Sequence, residues 1–192
     1  MSATSGNQRV LPDTGIAFAG SGANRTLTVP TNPQAYGTTV VTVRVGDGAL
    51  TGTATVTVIT GRAGTDHITG TDEPDLIFTR DGNDLVDARG GIDLVAAGGG
   101  NDVVLADAGD DTADGGLGND ALVGGAGNDV LQGGAGSDGL AGGLGDDVLQ
   151  GGAGSDLLAG GRGADSFSGG TGTDIAVDFR AGEADTKDAT IP

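Results

Sequence analysis

A nine-residue period dominates this sequence. From Gly61 to Val177 the chain divides into thirteen consecutive frames of nine residues without a single insertion. The sixth residue of every frame is Asp, the fourth is Gly in every frame except the one with Glu73, and the eighth is always Ile, Val, Leu, Phe or Ala. A short, fixed period of this kind predicts a solenoid, in which each repeat contacts only its neighbours.

Each frame reads as a Gly-rich turn followed by a short strand. Glycine recurs at positions one, two and four, where it permits positive φ angles and close approach of carbonyl groups in a tight loop. Positions six and eight lie two residues apart, so in an extended strand their side chains are on the same face. If the apolar residue at position eight faces the core, the Asp at position six also points inward. A flexible, solvated linker, the alternative for a Gly- and Asp-rich tract, would not keep an apolar residue at position eight of every frame.

The repeated pattern, GGxGxDxUx with U apolar, resembles the calcium-binding nonapeptide of RTX (repeats-in-toxin) proteins. The seven frames from Gly115 onward match the full GGxGxD consensus, whereas the first six keep the Asp but lose some of the glycines. The resemblance implies an all-β fold, a right-handed parallel β-roll. In such a roll two frames make one full coil of a flattened helix, with turns along both edges and two small parallel sheets between them.

Residues eighteen apart stack in a coil of this length, which brings the Asp residues into two rows. One edge carries Asp66, Asp84, Asp102, Asp120, Asp138, Asp156 and Asp174. The other edge carries Asp75, Asp93, Asp111, Asp129, Asp147 and Asp165.

These rows predict a divalent cation. Two carboxylates at the strand spacing of ~4.8 Å repel by ~0.9 kcal/mol in water and by ~3.5 kcal/mol at an effective dielectric constant of 20. A cation between successive turns converts this repulsion to attraction, and oxygen-only ligands with flexible geometry favour Ca²⁺ over Zn²⁺ or Mg²⁺. Asp residues that only cap turns, without metal, are the alternative, and the repulsion within each row argues against it.

The resemblance also implies a ligand set. In RTX rolls each Asp carboxylate is shared between ions above and below it, and carbonyl groups of the glycine turn complete the shell, so all thirteen Asp residues are expected ligands. The expected carbonyl ligands lie at positions two and four of the first five consensus frames. They are Gly116, Gly118, Gly125, Gly127, Gly134, Gly136, Gly143, Gly145, Gly152 and Gly154. An ion in every stacked pair gives eleven sites and the consensus frames alone give five, so we expect about five to eleven Ca²⁺ ions.

Residues 1–60 differ in composition from the repeats. Val41, Val43 and Val45 alternate with polar residues before Gly46-Asp47-Gly48, and the alternation resumes at Ala54, which predicts a β-hairpin. Weaker strand candidates lie at 16–19 and 25–29. The segment resembles the C-terminal half of an immunoglobulin- or cadherin-like repeat of bacterial surface proteins, through LPDTGIAFAGSGANRTLTV and TTVVTVRVGDGALTGTATVTV. We therefore expect three parts: a partial sandwich-like segment (1–60), the β-roll (61–177) and a C-terminal flank (178–192), in which Phe179 covers the open end of the apolar core.

The composition excludes some functions. The net charge of −18 disfavours nucleic-acid binding, which needs a basic surface. No apolar run is long enough to span a membrane, and the N-terminus lacks the basic and apolar regions of a signal peptide. Without Cys the chain has no disulfides and no thiolate metal site. The only His, His67, is expected to be solvated, and we expect no enzymatic activity from the acidic pairs in the turns.

The function expected from these features is calcium binding by an extracellular roll that folds on binding Ca²⁺, as part of a secreted or cell-surface protein. The resemblance adds type I secretion. Two alternatives are a calcium-dependent accessory module of a secreted protease, lipase or polysaccharide epimerase, and a segment of a large adhesin. Apolar residues at position seven either serve β-propensity, the preferred explanation, or form outer strips that dock a neighbouring domain or a second copy.

Overall fold

The computed structural model describes residues 2–7, 9, 17–19, 26–28, 36–46, 51–177 and 184–191. These parts contain nineteen β-strands and no helix, so none of them provides a helix that could cross a membrane. The strands before the repeats are β1 (Ser2–Ser5), β2 (Ala17–Ala19), β3 (Thr26–Thr28), β4 (Gly37–Gly46) and β5 (Thr51–Thr60). Those that follow are β6 (His67–Thr69), β7 (Asp75–Asp81), β8 (Leu85–Asp87), β9 (Leu94–Gly99), β10 (Val103–Ala108), β11 (Thr112–Leu117), β12 (Ala121–Ala126), β13 (Val130–Ala135), β14 (Gly139–Leu144), β15 (Val148–Gly154), β16 (Leu157–Arg162), β17 (Ser166–Gly172), β18 (Ile175–Val177) and β19 (Thr186–Lys187).

Successive strands of the repeats alternate between two sheets. One sheet has ten strands in the order β1-β4-β5-β7-β9-β11-β13-β15-β17-β19, and the other has seven in the order β18-β16-β14-β12-β10-β8-β6. Paired strands of the repeats are parallel and eighteen residues apart, as in Thr112↔Val130 and Val103↔Ala121. The result is a parallel β-solenoid of about seven turns, which confirms the predicted all-β roll with two frames in each coil.

The residues at position eight form one continuous core between the two sheets. Its buried members from the first twelve frames are Ile68, Ile77, Val86, Val95, Val104, Ala113, Leu122, Leu131, Leu140, Leu149, Leu158 and Phe167. Ala176 of the last frame is partly buried against them, and Ile59 of β5 extends the core at the other end. Burying one large aliphatic side chain stabilises a fold by roughly 1.5–3 kcal/mol. This apolar column, which is aliphatic except for Phe167, therefore takes the place of an aromatic core.

The predicted hairpin is present as the antiparallel pair of β4 and β5, in register from Gly37↔Thr60 to Gly46↔Thr51. Strand β5 also pairs in parallel with β7, from Thr57↔Asp75 to Thr60↔Phe78, so the hairpin continues the ten-stranded sheet. Val41 and Val58 form a small separate buried cluster with partly buried side chains that include Phe78. The division of the chain at Thr60 stays a prediction.

Two weaker strand predictions correspond to β2 and β3, which pair antiparallel through Ala17↔Thr28 and Ala19↔Thr26. Their predicted end residues Ile16, Arg25 and Val29, and the turn residues Asp47 and Gly48, lie outside the described residues.

Beyond the last frame, β19 continues the ten-stranded sheet through Ser166↔Thr186. Ile191 is buried in the core, with 4% of its surface exposed. Phe179, the residue predicted to cover this end of the core, lies outside the described residues.

Candidate metal centre

The Asp residues at position six point into the roll and form a regular ladder on each edge. In eleven successive pairs, the main-chain N–H of one Asp donates a hydrogen bond to Oδ1 of the Asp eighteen residues later, over 2.7 to 3.1 Å. From Asp75 to Asp174 every one of these side chains is buried, whereas Asp66, at the end of its row, is half-buried. The predicted stacking and inward orientation of these acids are therefore present.

The second carboxylate oxygen of most of these residues is buried without a hydrogen-bond donor. Among the described residues, this holds for Oδ2 of Asp84, Asp93, Asp102, Asp111, Asp120, Asp129, Asp138, Asp147, Asp156 and Asp174. A buried carboxylate oxygen without a partner costs free energy, because it has lost its hydration and gained no replacement. Asp66 and Asp75 differ, since their Oδ2 atoms accept main-chain N–H groups from Arg62 at 2.5 Å and Thr71 at 2.6 Å.

The Oδ2 atoms face the glycine at position one of their own frame. A Cβ at Gly115 would lie 2.5 Å from Oδ2 of Asp120 and 2.8 Å from the carbonyl oxygen of Gly133, one turn further on. The same arrangement recurs at Gly124, where the corresponding distances to Asp129 and the carbonyl of Gly142 are 2.2 and 2.7 Å. The carbonyl group that shares this space with Oδ2 thus comes from position one, which the sequence analysis did not name.

Positions two and four carry the ten glycines whose carbonyl groups were predicted as ligands. All ten have φ between +98° and +142°, the left-handed region that favours glycine. Each carbonyl oxygen lies 1.5 to 2.2 Å from where a Cβ on the glycine of the next turn would be, so these carbonyl groups point along the stack into the following turn. Both edges of the roll are therefore lined by oxygen atoms, with glycine required for the close approach.

Burial changes the acidity of the ladder. Loss of hydration raises the pKa of eight of these carboxyl groups above the ordinary 3.8, and the main-chain hydrogen bond from the preceding turn lowers it only partly. The pKa rises to about 7 for Asp93 and to about 6 for Asp111, Asp120 and Asp147. It also rises for Asp102, Asp129, Asp138 and Asp156. For the pairs Asp93/Asp111 and Asp120/Asp138, the charge of the stacked neighbour contributes to the rise.

Frames three to six depart from this pattern at position one. They carry Thr79, Ala88, Ala97 and Ala106 there, and all four side chains are fully buried. In the consensus frames the same position is glycine, and a Cβ there would meet the Asp carboxylate. The space beside the carboxylate is thus narrower in the early frames. Arg80, Arg89 and Asp107 also adopt positive φ angles at position two, where the later frames have glycine.

Two further features were not predicted. At position five, exposed Asn, Asp and Ser side chains accept the main-chain N–H of the residue one turn later, as Asn101 does from Asn119 at 2.8 Å and Asp110 from Asn128 at 2.9 Å. At the C-terminus, Oδ1 of buried Asp185 accepts the N–H of Asp165 at 3.0 Å, so Asp185 continues its ladder after a spacing of twenty residues. The only sequence signal for the role of Asp185 is its position directly before the Thr-Lys pair of β19.

Side chains alone do not form a metal cage in the parts of the chain that the structure describes. No three His, Cys, Asp or Glu side chains there come together in a way that could hold a metal ion. His67 is exposed on β6, as predicted. A cation at the ladders would therefore be held by one or two carboxylates together with main-chain carbonyl groups.

Comparison with known families agrees with this geometry. The family model for the RTX calcium-binding nonapeptide repeat matches the chain four times, at residues 60–95, 88–122, 114–149 and 142–176. No curated protein matches the chain.

Proposed function

Because the chain belongs to the family of RTX calcium-binding nonapeptide repeats, whose repeats bind Ca²⁺, we propose that its two Asp ladders hold Ca²⁺ ions between successive turns. The observation that carries this proposal is the row of buried Oδ2 atoms without a hydrogen-bond donor. A buried anionic oxygen is stabilised by a cation more than by any other partner.

The donor set suits calcium. The available ligands are carboxylate and carbonyl oxygens, which are hard donors, and glycine turns allow the variable coordination number that Ca²⁺ accepts. When bound, Ca²⁺ supplies positive charge that offsets the repulsion between stacked carboxylates. The proposed carbonyl ligands are those of positions two and four, such as Gly134 and Gly136. The position-one carbonyls, such as that of Gly133, face the same glycine as Oδ2 of the Asp and are added to the set.

The Asp residues of the consensus frames form the best candidate calcium sites. On one edge they contribute Asp120, Asp138, Asp156 and Asp174, and on the other Asp129, Asp147 and Asp165. An ion in each stacked pair gives five sites. The earlier acids extend the range to eleven, but the methyl groups of Ala88, Ala97 and Ala106 narrow their surroundings. Asp66 and Asp75 are the weakest candidates, since their Oδ2 atoms already accept hydrogen bonds.

Calcium binding would be coupled to folding. The unfolded chain solvates its carboxylates, whereas the folded roll buries them in rows, so without a cation the folded state bears the cost of burial and repulsion. A ligand that binds only the folded state adds its binding free energy to stability. At the low Ca²⁺ concentration inside a cell this balance favours the open chain, and at extracellular concentrations it favours the roll.

This coupling suits an extracellular setting, in a secreted or surface-bound protein exported by type I secretion. The roll is a structural calcium-binding module, and we propose no catalysis by this chain. Within a larger protein it would serve as the accessory module of a secreted protease, lipase or polysaccharide epimerase, or as a segment of an adhesin. The adhesin is the alternative that the likeness of residues 1–60 to immunoglobulin- or cadherin-like repeats favours.

Far-UV circular dichroism during titration with Ca²⁺, and separately with Mg²⁺, tests the coupling. We expect a cooperative gain of β-sheet signal with Ca²⁺ alone, and full β structure in chelator would contradict the proposal. Isothermal titration calorimetry tests the ligands: Asp138→Ala should weaken two sites on one edge, and Asp147→Ala two on the other. Asp72→Ala, at an exposed acid outside both ladders, is the matched control. Unchanged calcium stoichiometry in both ladder variants would reject the ligand assignment.

A further inference from the structure

The outer face of the seven-stranded sheet is apolar over five successive strands. On β10, β12, β14, β16 and β18, the residues at positions seven and nine point outward, and none of the ten has a polar side chain. Several are well exposed, including Leu157 at 48% and Ile175 at 54%. A continuous apolar face of this kind is a candidate interaction surface.

The opposite sheet shows that the fold does not require such a face. Its strands β11, β13, β15 and β17 direct their position-eight residues into the same core, yet each carries at least one polar residue outward, such as Thr112, Gln132, Gln150 and Ser166. β-propensity acts equally on both sheets. The preferred explanation from the sequence, that position seven only serves β-propensity, does not account for this difference.

A depression lies in the centre of the apolar face, at Gly139 on β14. A Cβ added there would meet nothing within 4 Å, and the backbone of Gly139 is not in the positive-φ region. Glycine inside a strand costs conformational entropy and packs no side chain, so it is unfavourable unless something approaches closely. The neighbouring strand adds the small Ala121 beside it, whereas Leu157 and Ile175 stand out on the next two strands.

We propose that this face binds a second copy of the chain. A two-fold axis parallel to the strands, passing between β14 and β16, places Gly139 of one copy opposite Leu157 of the other and Ala121 opposite Ile175. In the row at position seven each large side chain then meets a small one, and in the row at position nine Ala141 meets Ala159 and Val123 meets Val177. The face is therefore complementary to itself, as an isologous dimer requires, and two sheets packed in this way lie ~10 Å apart.

The area of the face and the net charge of the chain indicate how tightly the dimer should associate. The ten residues of the face expose on the order of 500 Å², comparable with the largest apolar patch of a typical monomer. Two copies would bury less than about 1,000 Å², because β10 lies outside the overlap, so the interface is below the usual size of a stable one and the dimer dissociates on dilution. Each copy carries a net charge of −18, so added salt and Ca²⁺, which reduce the repulsion between copies, strengthen the association.

Sedimentation velocity in Ca²⁺-containing buffer, over a range of protein concentrations, tests the dimer. We expect a concentration-dependent equilibrium between monomer and dimer in the wild type. Leu157→Glu should weaken it by at least ~10-fold, because a charge would be buried without a partner. Val130→Glu is the matched control, since Val130 is a similarly exposed position-seven residue on the opposite sheet, and it should leave the equilibrium unchanged.

A size exchange tests the complementarity itself. Gly139→Leu and Leu157→Gly should each weaken the dimer, and the double variant, which restores one large and one small residue in every pair, should dimerise more tightly than either single variant. Circular dichroism with Ca²⁺ establishes the fold of each variant, so failure to fold with Ca²⁺ counts against the calcium function alone. A folded wild type that stays monomeric, equal effects of Leu157→Glu and Val130→Glu, or no rescue in the double variant would each overturn the proposal.

Discussion

The main-chain N–H of Asp120 donates a hydrogen bond to Oδ1 of Asp138, eighteen residues later, over 2.8 Å. The other oxygen of the Asp138 carboxylate is buried without a hydrogen-bond donor. The two oxygens of this side chain therefore have different roles. Oδ1 links successive turns by a hydrogen bond, and Oδ2 is available to a cation.

The two functions can be separated by substitution. Asp138→Asn keeps an oxygen that can accept the N–H of Asp120 but removes the charge, so it should weaken calcium binding and lower the stability of the Ca²⁺-bound roll only by the binding free energy that is lost. Asp138→Ala also leaves the N–H of Asp120 without its acceptor, which should lower the free energy of unfolding by a further ~1–3 kcal/mol. Calorimetry and urea unfolding measure the two effects. Asp72→Asn, which removes an exposed charge outside the ladders, is the control; calcium affinity equal to that of wild type in Asp138→Asn would contradict this separation.

Glycine at position four is predicted to be indispensable, whereas Gly139 is not. At Gly136, φ is +142° and a Cβ would lie 1.6 Å from the carbonyl oxygen of Gly118. Gly136→Ala should therefore destabilise the Ca²⁺-bound roll by more than ~2 kcal/mol. Gly139→Ala, three residues later, should be neutral or slightly stabilising, because a methyl group there meets nothing. Urea unfolding in Ca²⁺ compares the two, and equal losses would show that the turns do not stack as closely as described.

Much of the fold could be predicted because the period is itself structural information. Asp at position six and an apolar residue at position eight define which side chains face inward, and the doubled period defines which residues stack. The core column from Ile68 to Phe167 and the ladders from Asp75 to Asp174 follow from that spacing alone.

The features that were missed depend on interactions that a period does not encode. Asp185 joins its ladder only because the chain beyond the repeats inserts two residues and then returns to the sheet. The hydrogen bonds at position five are made by a mixture of Asn, Asp and Ser, which reads as ordinary turn composition. That Oδ2 of Asp120 and the Gly133 carbonyl both face the Cβ position of Gly115 depends on the side-chain conformation of the Asp.

The raised pKa values predict that acid stabilises the roll in the absence of calcium. Burial raises the pKa of Asp93 to about 7 and that of Asp147 to about 6, whereas the unfolded chain has ordinary values near 3.8. The folded chain therefore binds more protons, and this stabilisation is fully present below about pH 4 and is lost as the pH rises through 6 to 7. Circular dichroism in chelator should show more β structure at about pH 5 than at about pH 8.

In the presence of Ca²⁺ the pH dependence of stability should reverse, so that acid destabilises the roll, because protons compete with the cation for the same carboxylates. High salt provides the control, since it screens the general repulsion of an acidic chain but leaves the cost of burying a carboxylate nearly unchanged. If high salt abolished the effect of acid, net charge and not burial would be its cause.

Ile191 is predicted to hold the C-terminal end of the core closed. Its side chain has 4% of its surface exposed and belongs to the same cluster as Phe167, although it lies outside the repeats. Ile191→Ala should lower the free energy of unfolding by ~2–4 kcal/mol, because it leaves a cavity at the end of the apolar column. Ile92→Ala, at a side chain that is 65% exposed, is the matched control and should cost little. Hydrogen exchange should locate the loss in the last coil, around β17 and β19, and a uniform loss of protection along the whole roll would show that Ile191 does not act as an end cap.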